Sequence, residues 1–133
     1  MGRRLDIQKG WSLFIAAIAG LLFLLGLAPM IEGAVFTVTK TADTADGACD
    51  ADCSLREAII AANASPGTDT IILSAGTYTL TINGANEDAA VTGDLDITDN
   101  LILVGAGATS TIIDGGGIID YRETDRVFHI APG

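Results

Sequence analysis

The sequence is poor in aromatic side chains, and this shortage limits how a core can be built. Aromatic residues are 5% of the 133 residues, whereas 49% are hydrophobic, so Ile, Leu, Val and Ala have to supply the core. Small aliphatic residues together with 16 glycines are typical of short strands and tight turns rather than of long helical bundles. A chain of this length has room for one domain.

Basic residues are also few, and this excludes one class of partner. The chain has 7 Lys and Arg against 17 Asp and Glu, which gives a formal net charge of −10. The imbalance lies in residues 34–133, which carry 4 basic and 15 acidic residues. Phosphate backbones repel such an acidic body, so we expect no nucleic acid partner. On charge alone, divalent cations are better partners.

Histidine is nearly absent as well. His129 is the single histidine, so any Ser–His–Asp or Cys–His mechanism would have to use it. It lies on a predicted strand four residues from the end, where nothing in the sequence favours catalysis. A phosphate-binding loop and a dinucleotide-binding fingerprint are both lacking. The sequence therefore predicts no catalytic residues.

An uncharged apolar run stands near the start of the chain. Residues 11–28 read WSLFIAAIAGLLFLLGLA, after a basic segment and before Pro29 and small residues, which is the layout of a secretory signal peptide. We place cleavage after Gly33, so that residues 1–33 are the signal and residues 34–133 the mature domain. The alternative is an uncleaved membrane anchor, since the run is about long enough to span a bilayer. Either way we expect a secreted or cell-surface protein.

Two cysteines, Cys49 and Cys53, are the only pair that the sequence offers. In an oxidising compartment outside the cytoplasm, a disulfide is the expected state of such a pair. A zinc site would need two further ligands, and the single histidine is far along the chain. We therefore predict a disulfide and no metal centre.

One segment has the pattern of a helix. Alternation at residues 35–39 predicts a first strand, and an acidic, turn-rich loop follows it. Ser54 and Glu57 then form a capping box, in which each side chain binds a backbone N–H at the start of a helix. The apolar face consists of Leu55, Ala58, Ile59 and Ala62. Because a helix of about ten residues is marginal alone, we expect this face to cover other elements.

Six short aliphatic segments follow, and they repeat. Strands are predicted at residues 70–73, 78–82, 95–98, 101–104, 111–114 and 127–130. Aligned by similar letters, the last three follow the first three at offsets of 30 residues (Ile71 to Leu101), 33 residues (Tyr78 to Thr111) and 32 residues (Leu95 to Val127). Glycines stand at the predicted corners between them. Such a period is typical of a β-solenoid with about two coils.

Residues 53–59 read CSLREAI and resemble the CSLREA module, which opens secreted bacterial proteins of pectate-lyase-like architecture. The similarity extends to the opening strand and the glycine corners and covers essentially all of residues 35–130. It implies an all-β fold, a right-handed parallel β-helix whose short helix caps the N-terminal edge. Proteins of this type usually continue through many further coils. We therefore expect a truncated or split product, with stacking on another chain through an open C-terminal end as the alternative.

Clustered carboxylates are the main candidate for chemistry. Asp94, Asp96 and Asp99 lie in and around one predicted strand, and in β-helix enzymes that act on acidic polysaccharides such clusters hold calcium or act as acid and base. A lyase also needs a basic residue, and the nearest in sequence are Arg56 and Arg122. The alternative is a solvated face with turn-forming aspartates.

The charged residues of the motif have two interpretations as well. Arg56 could bind a ligand, or it could tie the helix cap of Ser54 and Glu57 to Asp50 or Asp52. We predict the structural role. The functional hypothesis is then a non-catalytic exported module without a cofactor, with a structural, adhesive or binding role towards a glycan or surface protein. The alternative is a polysaccharide-acting enzyme, possible with calcium as cofactor, and a third reading is a remnant without independent function.

Overall fold

Segments rich in β-branched residues form strands, and the one amphipathic segment forms a helix. The computed structural model describes residues 32–84, 87–116 and 126–131; the predicted signal run at residues 11–28 and Arg122 lie outside them. The elements are β1 (Val35–Thr37), α1 (Leu55–Ala64), β2 (Asp69–Ile72), β3 (Gly76–Thr79), β4 (Leu95–Ile97), β5 (Leu101–Val104), β6 (Thr111–Asp114) and β7 (Phe128–Ile130). The described part is thus mostly strand with one helix, as expected for an all-β protein.

The strands form three small parallel sheets, none of which closes on itself. Their strand orders are β1-β2-β5, β3-β6 and β4-β7. Parallel strands need long crossover connections, and here each connection carries the chain through the other sheets before it returns. The pairing of the last three strands with the preceding three is the pairing that the repeat predicts, and β1 extends the first sheet by one strand.

The register of these pairs differs from the letter-based prediction. Ile71 pairs with Leu103 rather than Leu101, and Tyr78 pairs with Ile113 rather than Thr111. Leu95 pairs with Phe128 instead of Val127. The first two errors are of two residues and keep the same side chains facing inward. The third is of one residue, and it assigns every side chain of β7 to the wrong face.

Alternation along the strands places aliphatic side chains on one side. In β2, Asp69 and Ile71 are buried, whereas Thr70 and Ile72 face outward. Helix α1 packs against β1, β2 and β4 with its apolar face. The buried apolar residues are Val38, Cys53, Leu55, Ala58, Ile59, Ala62, Ile71, Leu73, Tyr78, Leu80, Ala90 and Leu95. Helix and strands therefore share one aliphatic core, as the shortage of aromatic residues requires.

The acidic loop between β1 and α1 is closed by a covalent link. The Sγ atoms of Cys49 and Cys53 lie 2.01 Å apart, which is the predicted disulfide. Cys53 is buried and belongs to the core, while Cys49 packs against it from the loop. Among the residues that the structure describes, no helix is both long and apolar enough to cross a membrane.

Candidate functional site

The start of α1 is built by the capping box. The backbone N–H of Glu57 donates to Oγ of Ser54 at 3.1 Å, and the backbone N–H of Ser54 donates to Oε2 of Glu57 at 2.8 Å. The Ser54 hydroxyl also donates to the carbonyl oxygen of Thr44 at 2.8 Å. A carboxylate in the first turn further benefits from the positive end of the helix dipole. The cap thus fixes both the start of the helix and the loop before it.

Glu57 binds the acidic loop with its second oxygen. Oε1 accepts hydrogen bonds from the Thr44 hydroxyl at 2.6 Å and from the Asp46 N–H at 3.1 Å. Burial alone would raise the pKa of the Glu57 carboxyl, but hydrogen bonds from Thr44, Ser54 and Asp46, with the nearby charge of Lys40, lower it from 4.5 to about 2. Glu57 is therefore ionised, and its charge is used inside the protein.

Arg56 is buried, with 1% of its surface exposed. Its guanidinium donates twice to the Asp43 carboxylate, from Nε at 2.7 Å and from one terminal nitrogen at 3.1 Å. The remaining N–H groups donate to the carbonyl oxygens of Ala90 at 2.9 Å, Gly93 at 2.8 Å and Asp94 at 3.5 Å. These contacts occupy all five donors of an arginine side chain.

Asp43 extends the same network to a third segment. Its Oδ2 accepts hydrogen bonds from the backbone N–H groups of Thr81 at 2.7 Å and Ile82 at 3.0 Å. Burial raises the pKa of the Asp43 carboxyl, whereas Arg56 and these two N–H groups lower it, and the net direction is downward. We define the Arg56 network as Arg56, Asp43 and their backbone partners. It joins α1, the loop before it, the segment after β3 and the loop before β4.

The predicted acidic partners of Arg56 are wrong. Asp52 is exposed, and its carboxylate lies 3.0 Å from Nζ of Lys40. Asp50 is also exposed and accepts from the backbone N–H of Asp52 at 2.9 Å. Asp43 is the acidic side chain of this loop that enters the interior, where a buried guanidinium needs its counter-charge. Distance along the sequence gave no indication of that.

A second group of polar side chains lies where β4 pairs with β7. Asp96 stands opposite His129 in the ladder, and Oδ1 of Asp96 is 2.8 Å from Nδ1 of His129. Oδ2 of Asp96 accepts from the backbone N–H of Ala90 at 3.1 Å. Oδ1 of Asp88 lies 3.7 Å from the same histidine nitrogen. We call Asp88, Asp96 and His129 the Asp–His cluster.

The Asp–His cluster has the donors of a metal site. One ligand atom from each of the three residues lies within 4.8 Å of the other two, and within the described ranges this is the group of such side chains that could hold an ion. Calcium prefers six to eight oxygen ligands, whereas one imidazole nitrogen with two carboxylates suits zinc or a similar transition metal. The side chain of Asp88 is 83% exposed, so the cluster is open to solvent on that side.

The cluster differs from the predicted calcium ligands. Of Asp94, Asp96 and Asp99, only Asp96 belongs to it. Asp94 instead forms an ion pair with Nε of Arg126 at 2.5 Å. Asp99 is exposed and accepts from the backbone N–H of Asn100 at 2.7 Å. Asp96 is buried rather than part of a solvated face, because its carboxylate finds partners in Ala90 and His129.

The sequence analysis missed the role of His129 for an identifiable reason. Aligning Leu95 with Val127 places His129 opposite Ile97, where a pair with Asp96 is not apparent. The observed register, Leu95 with Phe128, moves His129 by one position and places it opposite Asp96. Inward alternation of the aliphatic residues in β4 and β7 would have been the better guide to this register.

Ala90 lies between the Arg56 network and the Asp–His cluster. Its φ is +58°, and it is the one non-glycine residue with a positive φ among the described residues. Its carbonyl oxygen accepts from Arg56, while its N–H donates to Asp96. A left-handed alanine costs about 1–2 kcal/mol, and the two hydrogen bonds hold it there. The two groups are thus joined through one peptide unit on each side of a strained residue.

The two groups differ in what they leave for a ligand. The Arg56 network and the capping box use their polar atoms on partners within the protein. The Asp–His cluster reaches solvent through Asp88 and through a His129 side chain that is 30% exposed. Comparison of the chain with family models, with curated proteins and with solved structures found no match.

Proposed function

We propose that this chain is an exported, non-catalytic module of the CSLREA type, a right-handed parallel β-helix whose first turn is covered by α1. The fold proposal is supported by the order of the parallel pairs: β2 with β5, β3 with β6 and β4 with β7. Paired residues are 32 to 35 positions apart, as in Asp69 with Leu101 and Gly76 with Thr111. One turn of a coil built from three short strands needs about that length.

The observation that carries the non-catalytic role is the closed Arg56 network. An arginine that binds a ligand needs N–H groups left over for it, whereas each donor of Arg56 has a partner inside the protein. A ligand would have to displace a buried ion pair, and breaking such a pair costs about 3–5 kcal/mol. The charged residues of the motif therefore serve as fasteners, and the module serves as a scaffold.

A scaffold acts through its outer surface. On the sheet of β1, β2 and β5, the outward side chains include Val35, Ile72, Ile102 and Val104, each between 40% and 65% exposed. Registered pairing sets them in rows across the sheet, Val35 beside Thr70 and Ile102, and Ile72 beside Val104. Regular rows of threonine and aliphatic side chains give a flat surface for contact with a glycan or a surface protein, which is the structural or adhesive role we propose.

The fold part of this proposal is tested by distance measurements in solution. The full chain is exported into an oxidising compartment of a host cell, purified and examined by nuclear magnetic resonance. Contacts between Ile71 and Leu103 and between Tyr78 and Ile113 are expected in the same monomer. Contacts of Ile71 with Leu101 instead, or none between these strands, would contradict the coil.

A second candidate function is favoured by the Asp–His cluster. A metal ion there would have three protein ligands and open positions, which is the arrangement that metal-assisted hydrolysis or lysis of a polysaccharide requires. Arg126, bound to Asp94 two residues before Asp96, supplies a basic side chain that the sequence analysis did not consider. This candidate remains an enzyme of pectate-lyase-like architecture.

One assay separates the two functions. The exported protein is incubated with acidic and neutral polysaccharides, with calcium, with zinc and with a chelator. The scaffold role predicts no degradation under any of these conditions. Metal-dependent degradation that is lost in Asp96→Asn and His129→Ala but kept in Asp99→Asn would establish the enzyme instead. Asp99 is the matched control, because it is an aspartate of the same region outside the cluster.

A further inference from the structure

A buried carboxylate at the start of β2 lacks its full set of partners. Asp69 is fully buried, with 0% of its surface exposed. Its Oδ1 accepts from the backbone N–H of Ala34 at 2.6 Å. Its Oδ2 is, in the part of the chain that the structure describes, the one buried side-chain oxygen or nitrogen without a hydrogen-bond partner. Burying such a group half-satisfied is costly, so its retention in the core needs an explanation.

The partner of Asp69 is also the residue that follows the predicted cleavage site. A signal peptidase that cuts after Gly33 hydrolyses the Gly33–Ala34 peptide bond with one water molecule. The hydroxyl goes to the carbonyl carbon of Gly33, and the nitrogen of Ala34 becomes an amine that takes up a proton. An amide with one hydrogen and no charge thereby becomes an ammonium group with three hydrogens and a positive charge.

From this juxtaposition we infer that Asp69 is the binding site for the new amino terminus, so that cleavage after Gly33 creates a buried ion pair between Ala34 and Asp69. The existing contact to Oδ1 becomes charge-assisted. A second hydrogen of the same nitrogen serves Oδ2. The inference rests on the export and cleavage part of the proposed function, and not on its scaffold or binding role.

The surroundings of Ala34 hold its nitrogen in place without the signal segment. The carbonyl oxygen of Ala34 accepts from the backbone N–H of Thr70 at 2.9 Å. Val35 pairs with Thr70 in the parallel ladder from the next position on. Both contacts lie on the C-terminal side of the cut, so they persist after Gly33 leaves.

Gly33 satisfies a requirement of the uncut chain. A Cβ atom at this position would lie 1.7 Å from the carbonyl oxygen of Thr68, so a larger residue would force the segment away from β2. A small residue before the cut is also what a signal peptidase accepts. The unprocessed chain can therefore place Ala34 beside Asp69, but only with a neutral N–H. Processing supplies the charge that the buried carboxylate lacks.

The experiment uses the exported chain with Lys40→Arg, because Lys40 is the only lysine after residue 33 and its removal leaves the α-amino group as the sole primary amine. Mass spectrometry is expected to show that the exported protein begins at Ala34. Acetylation of the amine is then expected to lower the urea midpoint. The same treatment should have no effect on the midpoint when Asp69→Asn is added. Asp114→Asn, at an exposed aspartate of another strand, should leave the loss unchanged.

A second measurement does not depend on the folding of the Asp69 variant. The pKa of the Ala34 amine, followed by nuclear magnetic resonance in the Lys40→Arg protein, should exceed the ordinary value of about 7.7–8.0 by at least about one unit, a tenfold shift in proton affinity. An ordinary pKa, or a midpoint unmoved by acetylation, would overturn the inference. A start other than Ala34 would overturn it too while leaving the scaffold role standing. Failure of the coil contacts would leave this ion pair untouched.

Discussion

Arg56 gives up its hydration on folding and recovers each hydrogen bond from within the protein. Its side chain is fully buried, and that of Asp43 is 3% exposed. Replacing Arg56 by Met keeps much of the stem but leaves the Asp43 carboxylate buried without its counter-charge. We expect Arg56→Met to lower the free energy of unfolding by about 3–5 kcal/mol. Urea denaturation of the exported protein measures this loss.

A matched control for that variant is Asp52→Asn. The Asp52 side chain is 73% exposed and pairs with Lys40 at the surface, so its loss should change the free energy of unfolding by less than about 1 kcal/mol. In a double-mutant cycle, Arg56→Met should cost less once Asp43 is already Asn, because no buried charge is then left over. Equal midpoints for Arg56→Met and Asp52→Asn would contradict the fastener role.

The pKa of Glu57 leads to a pH dependence of stability with a definite sign. The carboxyl is held at about 2 in the folded protein against an ordinary value of 4.5, so the folded state binds its proton more weakly than the unfolded chain. Its contribution is fully present above about pH 4.5 and is lost as the pH falls towards 2. Glu57→Gln should be less stable at neutral pH and lose less stability over this acidic window.

Melting temperatures measured from neutral pH down to the acid limit check that window. The comparison with Asp50→Asn isolates the effect, since Asp50 is exposed and lies in the same loop. Parallel acid curves for the wild type and Glu57→Gln would show that Glu57 is not the group responsible.

At the scale of elements, α1 contributes through one face. Ile59 is fully buried under it, whereas Ile102 on β5 has half of its surface exposed. Ile59→Ala should cost about 2–5 kcal/mol, because it removes buried methyl groups and leaves a cavity. Ile102→Ala makes the same chemical change on the outer face and should cost less than about 1 kcal/mol. Similar losses for the two variants, measured by urea denaturation, would mean that α1 does not cover the core.

Local patterns predicted the elements well, and their pairing less well. Helix α1 starts at Leu55 directly after the Ser54 cap, and the helix ends at Ala64, one residue beyond the predicted Asn63. Capping and alternation are local effects, so a single sequence carries them. Register depends on which faces meet across about thirty residues, and matching similar letters assigned β7 the wrong partner residues. That error also concealed the pair of Asp96 and His129.

At the scale of the whole molecule, the parts that sequence could not assign are the contacts between distant segments. Arg56 lies 34 residues from Ala90 and 37 from Gly93, and its loop partner is Asp43 rather than the nearer Asp50 or Asp52. The lone oxygen of Asp69 depends on what lies opposite it in β1. A buried charge has few partners once the chain is folded, but many before, and only the fold selects among them.

The same contacts predict which parts of the molecule loosen together. Asp43 accepts hydrogen bonds from the N–H groups of Thr81 and Ile82, and it holds Arg56, which in turn binds the carbonyl oxygens of Ala90 and Gly93. Asp43→Ala removes the hub of both sets. Amide hydrogen exchange should therefore accelerate at residues 81–82 and at residues 90–94 in the same variant.

The matched variant is Asp46→Ala in the same loop, whose carboxylate accepts only from the N–H of Ala48 in the described structure. It should leave exchange at both distant segments as in the wild type. Exchange that accelerates uniformly over the core in Asp43→Ala would indicate global destabilisation instead of a local release. Exchange unchanged at Thr81 and Ile82 would show that the Arg56 network does not join these segments. Loss of protection confined to them is what a fastener between neighbouring parts of one scaffold requires.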